Sequence, residues 1–323
     1  MYTSEQEIER LLLVSRLYYE ENLSQNEIAR EINVSRPLVS KLLAKAKKLG
    51  IVTVIIRSPL KNNEYAAKAL CETFGLAGAV VVPRTAGEDG ELNIVAQAMR
   101  LAEEPLKKAA VIGLGWGSLV DRFAREFPEG ARERRGRAVP LIGTSNVSNR
   151  GYNPNEIVRL FCERTGDEPC GLFAPAFPGS MADRELFAAT QNFRDAHSLW
   201  NGLDVAVVRV SGYPTMPDQA TAARFGKVLS QKRAVGAVVS RFYDVQGRFI
   251  SGENDWCIGI APDQLRRARC VLGLCSGNLP ASAALGALRS GLFTHMVLDE
   301  TVAGQVMTLW EQLSKEEAAG RRG

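Results

Sequence analysis

From residue 78 onward, short apolar runs bounded by glycine or proline alternate with stretches of helical periodicity, and this alternation leaves few folds open. "GAVVVP" (78–83), "AAVIGLGWGS" (109–118), "AVPLIG" (138–143), "DVAVVRV" (204–210), "CVLGLCSG" (270–277) and "HMVLD" (295–299) contain the strand patterns. Helical patterns follow at 92–103, in "LVDRFAREF", in "NEIVRLFCERT", in "ASAALGALRSG" (281–291) and in "TVAGQVMTLWEQL" (301–313), while "RAVGAVVSRFYD" (233–244) adds a further apolar run. Strands that are apolar on both faces and separated by helices build a mostly parallel sheet covered on both sides. The fold class expected is α/β, doubly wound over this region, with no internal repeat. "REFPEGARERRGR" (125–137) reads as a charged, solvated loop.

In such sheets the ligand crevice lies beyond the carboxyl ends of the strands. "GLGWGS" supplies the first candidate loop, in which Gly113, Gly115 and Gly117, with Trp116 and Ser118, let backbone N–H groups approach an anion at a helix start. The spacing is GxGxG and lies well inside the domain, so it does not predict a dinucleotide site. Other strand ends bring Gly143, Thr144 and Ser145, then Ser211 and Gly212, Asp244, and Gly277 with Asn278. These are the residue types that hydrogen-bond sugar hydroxyls, and they also dominate ordinary turns.

The first 63 residues follow a different pattern. Ser4 and Glu7 have capping-box spacing ahead of a helix whose inner side would be Ile8, Leu11, Leu12, Val14, Leu17 and Tyr18. Ser24 caps a second helix, 25–32, with Ile28, Ala29 and Ile32 inward. Asn33 then stands where the chain must turn through a left-handed backbone. Val34 plugs the core, Ser35 caps a third helix, and Val39, Leu42 and Leu43 are its buried stripe. This order is that of a helix-turn-helix. Gln25, Ser35, Arg36, Pro37, Ser40 and Lys41 are the candidate base-reading surface, and Lys45, Lys47 and Lys48 the candidate phosphate contacts. "IVTVII" after Gly50 reads as a small β wing.

Charge supports the division. Residues 1–31 hold three basic residues against seven glutamates, and residues 32–63 hold seven basic residues and no acid, leaving the remaining 260 near neutrality in a chain of net charge +4. One short segment therefore concentrates the positive field, as a phosphate footprint requires. The expected domains are 1–57, DNA-binding; 58–63, a linker at "SPLKNN"; and 64–323, effector-binding and oligomerising. No apolar run is long enough for a membrane span, and "MYTSEQEIER" is not a secretory leader. Six scattered cysteines without a CxxC pair read as reduced core thiols of a cytoplasmic protein. With only His197 and His295 available, neither a metal nor a cofactor is expected.

Taken together, the helix-turn-helix, "GLGWGS", "RFYDVQG" and "SGNLPASAALGALRSGLFTHMVLDETVA" resemble the SorC/DeoR-type sugar-binding transcriptional regulators over essentially the whole chain. The resemblance implies an effector domain similar to sugar-phosphate isomerases and glucosamine-phosphate deaminases that has lost catalysis. It also implies homodimers or homotetramers whose grip on double-stranded operator DNA changes when a sugar, polyol or sugar phosphate binds. Two positions depart from the family: Ala237 follows Gly236 where many members carry aspartate, and Pro280 stands where many carry a lysine used on phosphorylated effectors. A proline offers neither charge nor N–H, so the expected effector is an unphosphorylated sugar or polyol, or a ligand held differently from the family norm. The competing reading is an isomerase or deaminase with a DNA-binding appendage, using Asp244, Asp299 or Glu300 for proton transfer.

Overall fold

The computed structural model describes residues 5–52, 62–85, 87–145, 153–213 and 224–320. The chain divides into two compact units, Met1–Ser58 and Pro59–Gly323. Residues 53–61, which include most of the expected wing and linker, lie outside the described residues, as does Ser4.

The first unit is three helices, α1 (Glu5–Tyr19), α2 (Gln25–Glu31) and α3 (Arg36–Lys48). Leu11, Val14 and Leu17 of α1 meet Ile28 and Ala29 of α2 and Val39, Leu42, Leu43 and Ala46 of α3 in one core. Ser24 closes a full capping box with Glu27, and hydrogen bonds from the Ser24 hydroxyl and backbone N–H hold the Glu27 carboxyl below its ordinary value. Asn33 adopts φ 53°, the left-handed conformation the turn asked for, and Val34 N–H then reaches the Ala29 carbonyl at 2.8 Å.

Some expectations fail here. Ile8 and Leu12 are 40% and 41% exposed, because α1 meets its neighbours along Leu11, Val14, Leu17 and Tyr18, and the other two lie round the helix to one side of that stripe. Val34 is half-buried at the core's edge rather than inside it, as is Ile32, which ends α2 as its C-cap.

In the second unit, α4 (Glu64–Phe74) leads into β1 (Gly78–Val82), α5 (Glu88–Lys107), β2 (Val111–Leu114), α6 (Ser118–Glu126), β3 (Arg137–Pro140), α7 (Pro154–Thr165) and β4 (Glu168–Pro169). Next come α8 (Met181–Ala188), α9 (Gln191–Asn201), β5 (Val205–Gly212), α10 (Val228–Gln231), β6 (Ala234–Val238), β7 (Arg241–Asp244), β8 (Phe249–Ile250) and α11 (Pro262–Arg266). The chain ends with β9 (Cys270–Cys275), α12 (Ala281–Arg289), β10 (His295–Asp299) and α13 (Glu300–Gly320). The main sheet runs β1-β10-β9-β5-β2-β3-β4, all parallel, and an antiparallel β6-β7-β8 extension pairs with the end of β5.

Period-two alternation assigns the strand side chains to two cores. Val205 and Val207 of β5 join α5, α6 and α7 on one face; Ala206, Val208 and Val210 join α9, α12 and α13 on the other. The doubly wound expectation therefore holds. The run 233–244 is a hairpin, turned at Val239 and Ser240 with φ 46° and 58°. The stretch 125–137 is not simply solvated: Arg132 and Asp167 form a buried ion pair at 2.8 Å, with side chains 1% and 0% exposed. The six cysteines are free, and five of them are buried.

Candidate DNA-reading helix and ligand crevice

On α3, Ser35, Arg36, Pro37, Ser40, Lys41 and Lys48 are all exposed, and Gln25 at the start of α2 is half-buried. Spacings of three, four and seven residues keep these side chains on one side of the helix, opposite Val39, Leu42, Leu43 and Ala46. Among the described residues Arg36, Lys41 and Lys48 have no ion-pair partner. Two expectations are revised. Lys45 is ion-paired with Glu7 of α1, so it reaches phosphate only by giving up that carboxylate. Ser35 occupies the N-cap, but its side chain makes no capping bond. Pro37 has no N–H to offer, and Leu38 N–H goes to the Ser35 carbonyl at 2.9 Å. The Ser35 hydroxyl is thus left facing outward.

In the second unit, parallel strands bring their carboxyl ends to one edge, and the winding direction reverses between β5 and β2. The β2-to-β3 connection runs through α6 on one face, and the β9-to-β10 connection through α12 on the other, in the opposite direction along the sheet. Such a reversal opens a crevice. Trp116, Gly117 and Ser118 stand on one side of it and Ser211 and Gly212 on the other.

The predicted residues separate into distinct roles. Gly117, φ 106°, is the N-cap of α6 and leaves that helix start without a side-chain cap. Gly115 donates its N–H to Val207 O at 2.9 Å, so it has none left for a ligand. Gly113 lies within β2, where a Cβ would come within 2.4 Å of Leu141 Cδ2; its reason is packing. Gly143 is a second packing glycine, 2.5 Å from Ala174 O at the position a Cβ would take, and Thr144 is tied to Ala174 and Ala176 through its backbone. Ser145 follows it at the edge of the described segment. Ser211 and Gly212 are not a loop but the last ladder residues of β5, paired with Ala237 and Gly236. Asp244 accepts from Gln246 and Arg248 N–H and so holds its own turn.

Gly277 and Asn278 line a cleft of about 310 Å³ at the ends of β1, β9 and β10, together with Arg84, Thr85, Glu88, Glu91, Ser276 and Asp299. The cleft opens at the start of α5, two strands from the winding reversal, a separation of roughly 10 Å. Asp299 is 3% exposed and accepts Val302 N–H at 2.9 Å, and Glu300 accepts Arg84 N–H at 3.1 Å. Both carboxylates therefore have structural partners. His295 begins β10, at the opposite edge of the sheet, and His197 lies on α9 beside Gln264.

The sequence reading missed Arg209. It is the single charge in the β5 run "VAVVRVSG", and a charge inside an apolar strand was the clue available. A Cβ on Gly117 would lie 3.3 Å from Arg209 Cδ and 3.6 Å from Nη1. Cys275, buried at the end of β9, is pushed up to about 12 by burial, with Arg209 pulling the other way.

The Sugar-bind family, described as a sugar-binding domain, matches residues 58–308. The chain belongs to that family. Its relatives include the Sorbitol operon regulator of Klebsiella pneumoniae, 28% identical over 306 residues, covering 92% of this chain and 97% of that protein. The Deoxyribonucleoside regulator of Bacillus subtilis (strain 168) is 27% identical over 301 residues, covering 90% and 94%. The crystal structure of full-length SorC from K. pneumoniae superposes with a TM-score of 0.69 at 26% identity, over 94% of this chain and 99% of that one. This family member is accordingly a transcriptional regulator with a helix-turn-helix ahead of a sugar-binding domain. Among the described residues no helix is long and apolar enough to cross a membrane.

Proposed function

We propose that this regulator grips double-stranded operator DNA with α3 and that a small polyhydroxylated ligand in the sheet-edge crevice sets the strength of the grip. The observation that carries the reading is the exposed, ion-pair-free set Arg36, Lys41 and Lys48 on the helix that follows the Asn33 turn. A helix so presented fits the major groove, with its first turn toward base edges and its last toward phosphates. Homo-oligomers, as dimers or tetramers in the cytoplasm, would match two half-sites. Ligand control follows if the effector binds the DNA-competent and DNA-free arrangements with unequal affinity.

The reading is of a regulator without turnover. Asp244, Asp299 and Glu300 are engaged in turn and helix-end hydrogen bonds, and neither histidine stands at the reversal. The test is fluorescence anisotropy with double-stranded fragments from the protein's own promoter region, between 50 and about 200 mM salt, with and without a panel of sugars. Saturable, salt-sensitive binding that a sugar shifts supports the proposal. Failure to bind any fragment at low salt would sink it.

A further inference from the structure

We infer that the cleft at the amino ends of β2, β3 and β4 is a second ligand site, which takes a phosphate group between Arg134 and Arg135. It lies at the opposite end of the strands from the effector crevice proposed above and does not depend on that reading.

The run "ARERRGR" (131–137) places four arginines within six residues, and the regulator reading gives it no task. Val111, Arg137 and Glu168 begin β2, β3 and β4 and stand side by side in parallel register. Together with Arg134, Arg135 and Asp167 they line a cleft of about 570 Å³. The backbone around it is fixed and its amides are largely spent. Ala110 and Val111 N–H go to Asp204 Oδ2 at 2.6 and 3.1 Å, and Gly136 N–H goes to Asp167 Oδ1 at 2.6 Å. Arg137 N–H donates to Ala110 O at 2.8 Å and Glu168 N–H to Gly136 O at 2.9 Å. This close approach requires glycine at 136, where a Cβ would come within 2.5 Å of Ala110 O. Gly166, the C-cap of α7 at φ 72°, likewise leaves room for Arg135, whose Nε would lie 3.2 Å from a Cβ there. The donors the cleft offers are therefore chiefly arginine side chains.

A count of charges decides what they fit. Arg132 is taken by Asp167, and Arg137 faces Glu168 at 3.7 Å. Arg134 and Arg135 are exposed, and among the described residues neither has an ion-pair partner. Two unanswered guanidiniums call for a dianion. Both line one cleft, so charge concentrated on a single tetrahedral group reaches them together, and guanidinium forks match phosphate oxygens. Two buried atoms of the lining agree, since Arg137 Nε and Asp167 Oδ2 have no hydrogen-bond partner. The Asp167 side chain is 0% exposed, and a buried acceptor left unmade is costly. A phosphomonoester that also carries hydroxyl groups brings an acceptor for the arginines and a donor for Asp167.

The test uses the full chain with the paired substitutions Arg134→Gln/Arg135→Gln and, conserving charge, Arg134→Lys/Arg135→Lys, their folding checked by circular dichroism. Both positions are exposed, and the buried Arg132–Asp167 pair is left intact. Thermal melts and calorimetry compare inorganic phosphate, glycerol 3-phosphate and malonate with chloride at matched ionic strength. Phosphate should stabilise wild type beyond chloride. The glutamine variant should lose about tenfold or more in phosphate affinity, and the lysine variant should keep part of it. Anion binding at the other edge of the sheet is untouched by these substitutions, so equal responses in wild type and the glutamine variant would overturn the inference. No phosphate response in wild type would overturn it too, and a malonate response as strong as that to phosphate would overturn the phosphoryl class. Operator titrations across salt tell the source of the phosphate. A slope unchanged in the glutamine variant assigns it to a free ligand, and a slope shallower by about 1–2 assigns it to the duplex backbone.

Discussion

Lys45 of α3 is ion-paired with Glu7 of α1, which ties the basic end of α3 to the first helix of the unit. Both side chains are substantially exposed, 42% and 38%, so the pair adds little stability. Its effect falls on DNA binding instead. Glu7→Gln should free Lys45 for a phosphate and remove a negative charge, tightening binding at low salt and steepening the slope of log affinity against log salt by about 0.9. An unchanged slope in an anisotropy titration would show that Lys45 does not meet the duplex.

Arg36 and Lys48 lie at opposite ends of α3 and should fail differently. Arg36→Ala should weaken operator binding by about 1–3 kcal/mol and relax sequence preference. Lys48→Ala should weaken all sequences alike and flatten the salt slope. Competition with mismatched operator fragments separates the two outcomes.

Asn33 sits at φ 53° between α2 and α3. A β-branched residue there costs about 1–2 kcal/mol, whereas glycine carries no such penalty. Asn33→Val should therefore lower the urea midpoint of the helical unit and its DNA affinity, and Asn33→Gly should leave both near wild type.

Gly143 is packed closely against the chain at 174–176. A Cβ there would lie 2.5 Å from Ala174 O and 2.8 Å from Ala176 N, both backbone atoms that cannot step aside. Gly143→Ala should cost about 1–3 kcal/mol or more in thermal or urea melts. Effector affinity per folded molecule should persist.

His295 is held below its ordinary value of 6.5 by burial. Its folded-state value is depressed, so below about pH 6.5 the unfolded chain takes up more protons than the folded one. Stability is then lost as pH falls from 6.5 toward the lowered value, and rises with pH across that window. Melting temperature measured from pH 7.5 downward should decline through it, and His295→Gln should flatten that part of the curve.

What was legible followed from rules of short range. The Ser24 cap, the left-handed Asn33 and the three- and four-residue spacing of Val39, Leu42 and Leu43 act within a turn or two of chain, and each is present in the structure. The parallel sheet was legible for the same reason: the unbroken apolar run Val205–Val208 marks a strand buried on both faces before its neighbours are known. Ile8 and Leu12 show the limit, since both are apolar at helical spacing and yet stand outside the contact with α2 and α3.

The amino-acid sequence by itself determined two kinds of unit, a basic helix-turn-helix and a doubly wound sheet whose strand-end loops meet along one edge. Only tertiary structure decided what each loop residue does there. Gly113 and Gly143 are filled against by distant side chains and backbone, Gly115 spends its N–H on Val207, and Lys45 is claimed by Glu7. Arg209 comes to lie beside Gly117, far away in the chain, because strand register sets β5 beside β2. Backbone propensities are properties of neighbours along the chain, whereas charge pairing and close packing depend on which segments the sheet order brings side by side.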